Sequence, residues 1–315
     1  MNKMNRVLAY AGAVSQRHDS ARPTGSSSGR KQHGLKSEIS APNIISLLVL
    51  LILPFLGYAG IQSDAGMEEG GTVQQPDNAV IWYLGHCGFA MRTSNYLLIF
   101  DYQELRDGQQ PKARPMKPAL ENGWVNPEEI RNLSVRVFAS HSHNDHYDPV
   151  VLEWKKTIPD IQYFFGWKAA DDTAFHYLVG PRAEYKSGGL EIYTINSHHS
   201  GVPEVAWLVK VDGLVIYHNG DCQPEDAVKE YGFLKTKVER IDIAFVPPVY
   251  EERSKYGAQN MELFRGFLPR LVFPMHVTAG GAMYIDFEKG WKSKIPDLSI
   301  AIPSKMGDRF VLERK

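Results

Sequence analysis

The sequence predicts a layered α/β fold in which two β-sheets pack together and helices cover the outside. From residue 79 onward, short runs rich in β-branched and aromatic residues alternate with turn signals, a pattern typical of strands. A few amphipathic segments with helix-start signals lie between these runs. Many strands and few helices in a chain of 315 residues favour two sheets with outer helices.

The regular elements can be placed in order along the chain. The first strand candidates are AVIWYL, YLLIFD and SVRVFAS, which end near Leu84, Asp101 and Ser140. Residues 126–133 and 148–157 each open with a capping residue followed by proline, which predicts the start of a helix. Later strands are predicted in IQYFF, LEIYTI, VAWLVKV, LVIYHNG, IDIAFVP, RLVFPMH, LSIAI and RFVLE. Later helices are predicted in PEDAVKEYGFL and NMELFRGFL.

The N-terminal quarter differs in composition from everything after it. Residues 1–43 are rich in Ser, Gly, Arg and Lys without hydrophobic periodicity, which predicts a disordered basic leader. Residues 44–61 carry no charge and predict a signal peptide or a membrane anchor. The basic flank predicts that the rest of the chain lies outside the cytoplasm, in contact with the membrane if this segment is not cleaved. Residues 62–78 are predicted to be a linker, and residues 79–315 the folded domain.

Charge and cysteine content restrict the possible functions. The formal net charge of -1 argues against a nucleic-acid partner, which would require a basic face. Two cysteines cannot build a closed, cysteine-rich structural zinc site. Cys87 and Cys222 both adjoin motif residues, and three interpretations stay open: a disulfide, a thiol close to a metal ion, or two buried thiols.

The segment SHSHNDHYDP, residues 140–149, gathers three histidines and two aspartates at the end of a predicted strand. His141 and His143 are two residues apart, so in extended backbone their side chains leave on the same face and can bind one metal ion. Asp145 and His146 lie in the following turn, which can direct a carboxylate and an imidazole at a second ion. Imidazole and carboxylate together suit zinc, iron or manganese.

The segment HSHNDH resembles the H-x-H-x-D-H signature of the metallo-β-lactamase superfamily. Three later motifs occur in the order typical of that family: INSHHSG, IYHNGDC and VFPMHV. WYLGHCGF and YLLIFDY are similar to the opening of its lactonase-like branch. The resemblance covers the chain from about Ala79 to the C-terminus. It implies an αββα sandwich with a one- or two-metal site at one edge.

The resemblance implies two divalent metal ions, with zinc expected first and manganese or iron also compatible with the ligands. It places His141, His143 and His199 on one ion, Asp145, His146 and His276 on the other, and Asp221 between the two ions. Spacing does not decide between His198 and His199, because neighbouring residues of a strand face opposite ways. His199 is favoured because its HSG context is more similar to that of the family.

A chain with these ligands is expected to be a metal-dependent hydrolase, in which a hydroxide bridging the two ions attacks a small-molecule ester or lactone. Asp145 and Asp221 are the predicted catalytic residues, and Asp145 could carry a proton to the leaving group. Two alternatives stay open: a phosphodiesterase of the N-acyl-phosphatidylethanolamine phospholipase type, and a non-catalytic metal-binding module. Four residues are predicted to lie beside the ligands or at the rim of the site: His86, Asp101, His198 and Tyr250.

Overall fold

The computed structural model describes residues 78–168, 175–178 and 182–313. The predicted basic leader, the predicted membrane-directed segment and all but the last residue of the predicted linker lie outside these residues. Of the helices within the described ranges, none has the length and apolar character needed to cross a membrane.

The strands of the described residues define the two sheets and one hairpin. In chain order they are β1 Ala79–Gly85, β2 Gly88–Arg92, β3 Tyr96–Phe100, β4 Arg106–Asp107, β5 Gln110–Pro111, β6 Ser134–Ala139, β7 Ile161–Phe165, β8 Phe175–Tyr177, β9 Glu184–Ser187, β10 Leu190–His199, β11 Val202–Val211, β12 Leu214–His218, β13 Ile243–Val246, β14 Leu271–Pro274 and β15 Arg309–Leu312. Their order in the first sheet is β15-β1-β2-β3-β6-β7-β8, and in the second β14-β13-β12-β11-β10-β9. Strands β4 and β5 form the separate hairpin.

Each sheet has a parallel half, and this arrangement determines where the strand ends meet. Strands β3, β6, β7 and β8 run parallel in the first sheet, and β12, β13 and β14 run parallel in the second. Because the carboxyl ends of parallel strands lie at one edge, the residues that follow them become neighbours. The N–H of Val205 on β11 donates to the Ser140 carbonyl beyond β6 at 3.2 Å, which joins the two sheets at this edge.

An aromatic core fills the space between the sheets. Phe89 of the first sheet packs on Phe245 of the second with 4.3 Å between ring centroids, and Phe138 meets Trp207 edge-on at 5.5 Å. Side chains of alternating strand residues supply this core from both sheets, as two stacked sheets require.

Helices form the outer layers of the sandwich. Three α-helices pack on the outer face of the second sheet: Pro224–Lys235, Lys255–Phe267 and Ala282–Lys292. The 3₁₀ helix Pro149–Lys156 packs on the outer face of the first sheet through Val151 and Trp154, and the 3₁₀ turn Leu120–Asn122 adds Leu120. The predicted layered α/β fold class is therefore confirmed.

Local elements differ from the sequence prediction in several places, and strands β2, β4, β5, β8 and β9 were not predicted. Residues 126–133 form successive turns rather than a helix, since one capped turn of this length does not offset the cost of helix nucleation. The segment after Asp148 is a 3₁₀ rather than an α-helix, and it begins with Pro149 and two β-branched valines. The segment LSIAI provides only one bridge, Ile300 to Val272. The helix Ala282–Lys292 was not predicted.

Candidate metal centre

The candidate site lies at the edge where the parallel strands of both sheets end. Asp101 follows β3, His141 follows β6, Asp221 follows β12 and His276 follows β14. The turn between β1 and β2 adds His86, whose carbonyl accepts a hydrogen bond from the His276 N–H at 3.1 Å. The fold therefore brings together five segments that are far apart in the sequence.

Three histidines form a first cluster, which consists of His141, His143 and His199. One ring nitrogen from each lies within 4.8 Å of the other two. Their ring centroids are 4.6 Å apart for His141 and His143, and 5.3 Å apart for His143 and His199. His141 is fully buried, whereas His143 and His199 are partly exposed. The neighbouring His198 is exposed to solvent and belongs to no such group among the described residues.

A second cluster lies beside the first and consists of His86, Cys87, His146 and His276. One nitrogen or sulfur atom from each residue lies within 4.8 Å of the other three. His146 also connects the clusters, since its ring centroid is 4.2 Å from that of His141. Asp145, a predicted ligand, belongs to none of the groups found in the described part of the chain, and its carboxylate lies 3.6 Å from His86 Nε2 instead.

The Asp221 carboxylate lies between the two clusters. Its Oδ2 is 3.3 Å from His199 Nε2 in the first cluster. Its Oδ1 is 2.9 Å from His276 Nε2 and 3.4 Å from His146 Nε2 in the second. Burial alone would raise the pKa of Asp221, but the neighbouring His276 and His146 hold it well below the usual range. The group is therefore an anion that can contact both clusters at once.

Asp101 is fully buried and orients His146 of the second cluster. Its Oδ1 accepts the Ser140 N–H at 2.7 Å, and its Oδ2 accepts the Ser140 hydroxyl at 2.7 Å. The same Oδ2 lies 2.8 Å from His146 Nδ1. Because a carboxylate can only accept, His146 must carry its proton on Nδ1. Nε2 is then the nitrogen through which His146 would bind a metal ion, as an outer carboxylate arranges for metal-binding histidines.

Glu204 on β11 lies beside His141 of the first cluster, and sequence reasoning missed it. The side chain is fully buried, its Oε1 accepts the Asp221 N–H, and the same oxygen lies 3.4 Å from His141 Nδ1. Burial and the nearby Asp221 raise the pKa of Glu204 well above its usual range. The signal in the sequence was an acidic residue directly before the apolar run VAWLV.

The loop that presents Asp221 is fixed by the buried side chain of His218. The buried His218 ring accepts the Gly220 N–H at Nδ1 over 3.2 Å and lies 3.0 Å from the Cys87 carbonyl through Nε2. Gly220 has φ +53° and lies so close to Ser140 that a β-carbon there would be 2.7 Å from the Ser140 Cβ. Only glycine fits this backbone without strain.

The donor atoms of both clusters fit metal binding. Both ring nitrogens of His86 and Nε2 of His141 are buried without a hydrogen-bond partner among the described residues, an arrangement that is costly unless a ligand completes it. Burial, with the charge of His276 acting in the same direction, lowers the pKa of His86 to about 4. Burial, assisted by His146, lowers the pKa of His141 to about 3. Both imidazoles are therefore neutral near pH 7 and can donate a lone pair.

The structure also places the two cysteines and Tyr250. Cys87 and Cys222 are both free, buried thiols, so the disulfide interpretation is wrong for this structure. Tyr250, a predicted rim residue, packs against the helix Ala282–Lys292, where a β-carbon on Gly290 would be 2.2 Å from its ring.

Comparison with known proteins places this geometry in context. A family model described as the beta-lactamase superfamily domain matches residues 80–276. The UPF0173 metal-dependent hydrolase of Thermococcus kodakarensis is 25% identical over 209 residues, which are 62% of this chain and 82% of that protein.

Solved structures show the same fold at low sequence identity. Igni18, a metallo hydrolase from the archaeon Ignicoccus hospitalis, is 16% identical with a TM-score of 0.51 over 76% of this chain and 100% of its own. CmlA, a diiron beta-hydroxylase from Streptomyces venezuelae, is 11% identical with a TM-score of 0.50 over 75% of this chain and 54% of its own. The fold therefore occurs with more than one kind of chemistry, and the reaction has to be argued from the site.

Proposed function

The chain belongs to the beta-lactamase superfamily, and from that premise we propose that it is a metal-dependent hydrolase of small esters or lactones. The first ion would be held by His141, His143 and His199, and the second by His146 and His276 in the second cluster. Zinc is the ion proposed for both positions, because imidazole and carboxylate ligands suit it.

The position of Asp221 is the observation that carries this proposal. Its two oxygens face different clusters, Oδ2 towards His199 at 3.3 Å and Oδ1 towards His276 at 2.9 Å. A carboxylate in this position can bridge two ions, whereas a site for a single ion would need only one of the clusters. The arrangement supports two ions as in two-metal hydrolytic sites.

The chain's own residues would prepare and complete the reaction. When bound, two such ions polarise a substrate carbonyl and make water between them a nucleophile near neutral pH. Asp101 fixes the proton of His146 on Nδ1, as its 2.8 Å contact requires. Burial alone would raise the pKa of Asp145, but His86 and His146 keep it below its usual range, so the group is a carboxylate. Its side chain is 26% exposed, and Asp145 can therefore take up a proton and pass it to a leaving group at the mouth of the site.

The location of the catalytic domain is a separate proposal that depends on the N-terminal sequence. The uncharged segment 44–61, with its basic flank, supports a domain that works outside the cytoplasm, either exported or anchored. A reporter fused after residue 315 tests this: activity of alkaline phosphatase, which folds only after export, is expected. Activity of a cytoplasmic reporter at the same position would contradict it.

Hydrolysis assays on the purified, zinc-loaded chain test the proposed reaction. Turnover of a lactone or an aryl ester is expected, with loss of turnover in Asp221→Ala and retention in Asp160→Asn, a control for the charge change at the start of β7. The Asp160 carboxylate accepts from Arg136 at 2.9 Å, and its side chain is 55% exposed. Turnover of bis(p-nitrophenyl) phosphate alone would select the phosphodiesterase alternative. Zinc binding without turnover of any of these substrates would select the non-catalytic alternative.

A further inference from the structure

Cys87, in the turn between β1 and β2, brings a sulfur atom into the second cluster. We propose that Cys87 binds the second metal ion as a thiolate, beside His86, His146 and His276. This inference rests on the proposed function, since it concerns the second ion of the same centre. It adds a thiolate and one imidazole to the ligands that the sequence motifs predict.

Burial and missing partners point to a ligand position. Cys87 is fully buried, and His86 is 2% exposed. Within the described residues, neither ring nitrogen of His86 has a hydrogen-bond partner, although the polar ring lies in the interior. His86 lies against the other imidazoles of the cluster, with ring centroids 4.4 Å from His276 and 5.7 Å from His146. Apart from the Asp145 carboxylate, which lies 3.6 Å from His86 Nε2, the polar atoms of this turn are directed at the cluster.

The backbone of the turn is constrained in a way that a packing role would not require. His86 has φ +55°, a left-handed conformation that is uncommon for a residue with a side chain. Hydrogen bonds fix the turn on each side: the His86 N–H donates to Asp107 Oδ1 at 3.0 Å, and the Cys87 carbonyl lies 3.0 Å from His218 Nε2. The two side chains are thus presented to the cluster by a fixed, strained turn.

The distances would let one zinc ion reach all four donor atoms after a small contraction. Zinc binds imidazole nitrogen at about 2.0–2.1 Å and sulfur at about 2.3 Å, so its donor atoms lie roughly 3.3–3.7 Å apart. The four donor atoms of the cluster already lie within 4.8 Å of one another. Asp145 remains outside this group and stays available as a proton carrier.

Charge balance follows from the state of the thiol. Cys87 is a free, buried thiol when no ion is present. On binding, the S–H bond breaks, the sulfur keeps the electron pair and forms the sulfur–metal bond, and the proton leaves to solvent. No oxidant or reductant is needed. A thiolate ligand would favour zinc over manganese at this position.

Cobalt(II) spectroscopy tests the inference on the full chain without relying on activity. Cobalt replaces zinc in such sites, shows visible d–d bands for any ligand set, and adds a near-ultraviolet charge-transfer band only when a thiolate is bound. We expect d–d bands together with the charge-transfer band in the wild type. Cys87→Ser should lose the charge-transfer band and lower the preference for zinc over manganese about 10-fold.

Cys222→Ser is the matched control, because Cys222 is also a fully buried free thiol but lies outside the second cluster. It should keep the charge-transfer band. As the chain has only two cysteines, a band in Cys222→Ser can come only from Cys87, so the test succeeds even if Cys87→Ser does not fold.

The other outcomes separate this inference from the proposed function. Visible d–d bands without a charge-transfer band in the wild type would overturn the thiolate ligand and leave the metal-dependent hydrolase standing. A charge-transfer band that persists in folded Cys87→Ser would also overturn it. A chain that binds no cobalt would overturn both proposals.

Discussion

Substitution of Asp101 by asparagine removes the carboxylate that orients His146 in the second cluster. Three donors converge on the Asp101 carboxylate: the N–H of Ser140, the hydroxyl of Ser140 and Nδ1 of His146, at 2.7, 2.7 and 2.8 Å. Asparagine keeps the size of the side chain but has one oxygen, so its amide nitrogen must face at least one of these donors.

Each orientation of the asparagine has a distinct consequence. With the amide nitrogen towards the Ser140 N–H, two buried donors oppose each other, which costs about 1–3 kcal/mol of stability. With the nitrogen towards His146, Nδ1 must accept, and the proton moves to Nε2, the atom that faces Asp221 at 3.4 Å. That tautomer cannot bind a metal ion. Loss of an outer partner of this kind weakens metal binding about 10- to 100-fold, or about 1.4–2.7 kcal/mol.

Zinc titration against a chromophoric chelator measures this effect. We expect two binding steps in the wild type. In Asp101→Asn one step should weaken about 10- to 100-fold and the other less, because the Ser140 hydroxyl that donates to Asp101 also lies 3.0 Å from His141 Nδ1. Asp160→Asn, which changes an exposed carboxylate, should leave both steps unchanged. Two steps of wild-type affinity in folded Asp101→Asn would refute the orienting role of Asp101, as would equal weakening of both.

Three further substitutions separate the other supports of the site. Glu204→Gln should weaken the other zinc step about 10-fold or more in the same titration, because Glu204 lies beside His141 of the first cluster; a larger effect on the Asp101 step would contradict this. In the metal-free protein, burial lowers the pKa of His86 to about 4, below its value in the unfolded chain. The unfolded chain therefore binds more protons, and the free energy of unfolding falls by about 3 kcal/mol from pH 7 to pH 4. His86→Asn should lack this part of the fall in urea unfolding, and identical pH slopes would contradict it. Gly220→Ala should lower the free energy of unfolding in urea by about 1–3 kcal/mol more than Gly213→Ala does. Both glycines have positive φ, but a β-carbon at Gly213 meets nothing within 4 Å, whereas one at Gly220 meets Ser140. Equal losses would exclude the close contact with Ser140.

Sequence reasoning could reach the fold class and the residues of the motif because both depend on local pattern. His141 and His143 follow a predicted strand, and Asp221 and His276 follow two others, so a sheet with parallel strands places all of them at one edge. The preference for His199 over His198 agrees with the position of His199 in the first cluster and the exposure of His198.

The remaining parts of the site depend on contacts that no local pattern shows. Glu204 reaches His141 because β11 and the end of β6 are joined across the two sheets by the hydrogen bond between Val205 and Ser140, which are 65 residues apart in the sequence. His86 was predicted to lie beside the ligands or at the rim, and its left-handed backbone turns the buried ring towards the second cluster. The same orientation of the ring brings His86 Nε2 to 3.6 Å from the Asp145 carboxylate. Each of these positions is fixed by tertiary packing.

Anomalous diffraction from crystals of the zinc-loaded chain is the most direct measurement of the proposed centre. We expect two peaks on opposite sides of the Asp221 carboxylate, about 3.5–4 Å apart. One should lie among the Nε2 and Nδ1 atoms of the first cluster, and the other among the donor atoms of the second. A single peak would contradict the two-ion centre, and a map without a peak at Asp221 would contradict metal-dependent hydrolysis at this edge of the fold.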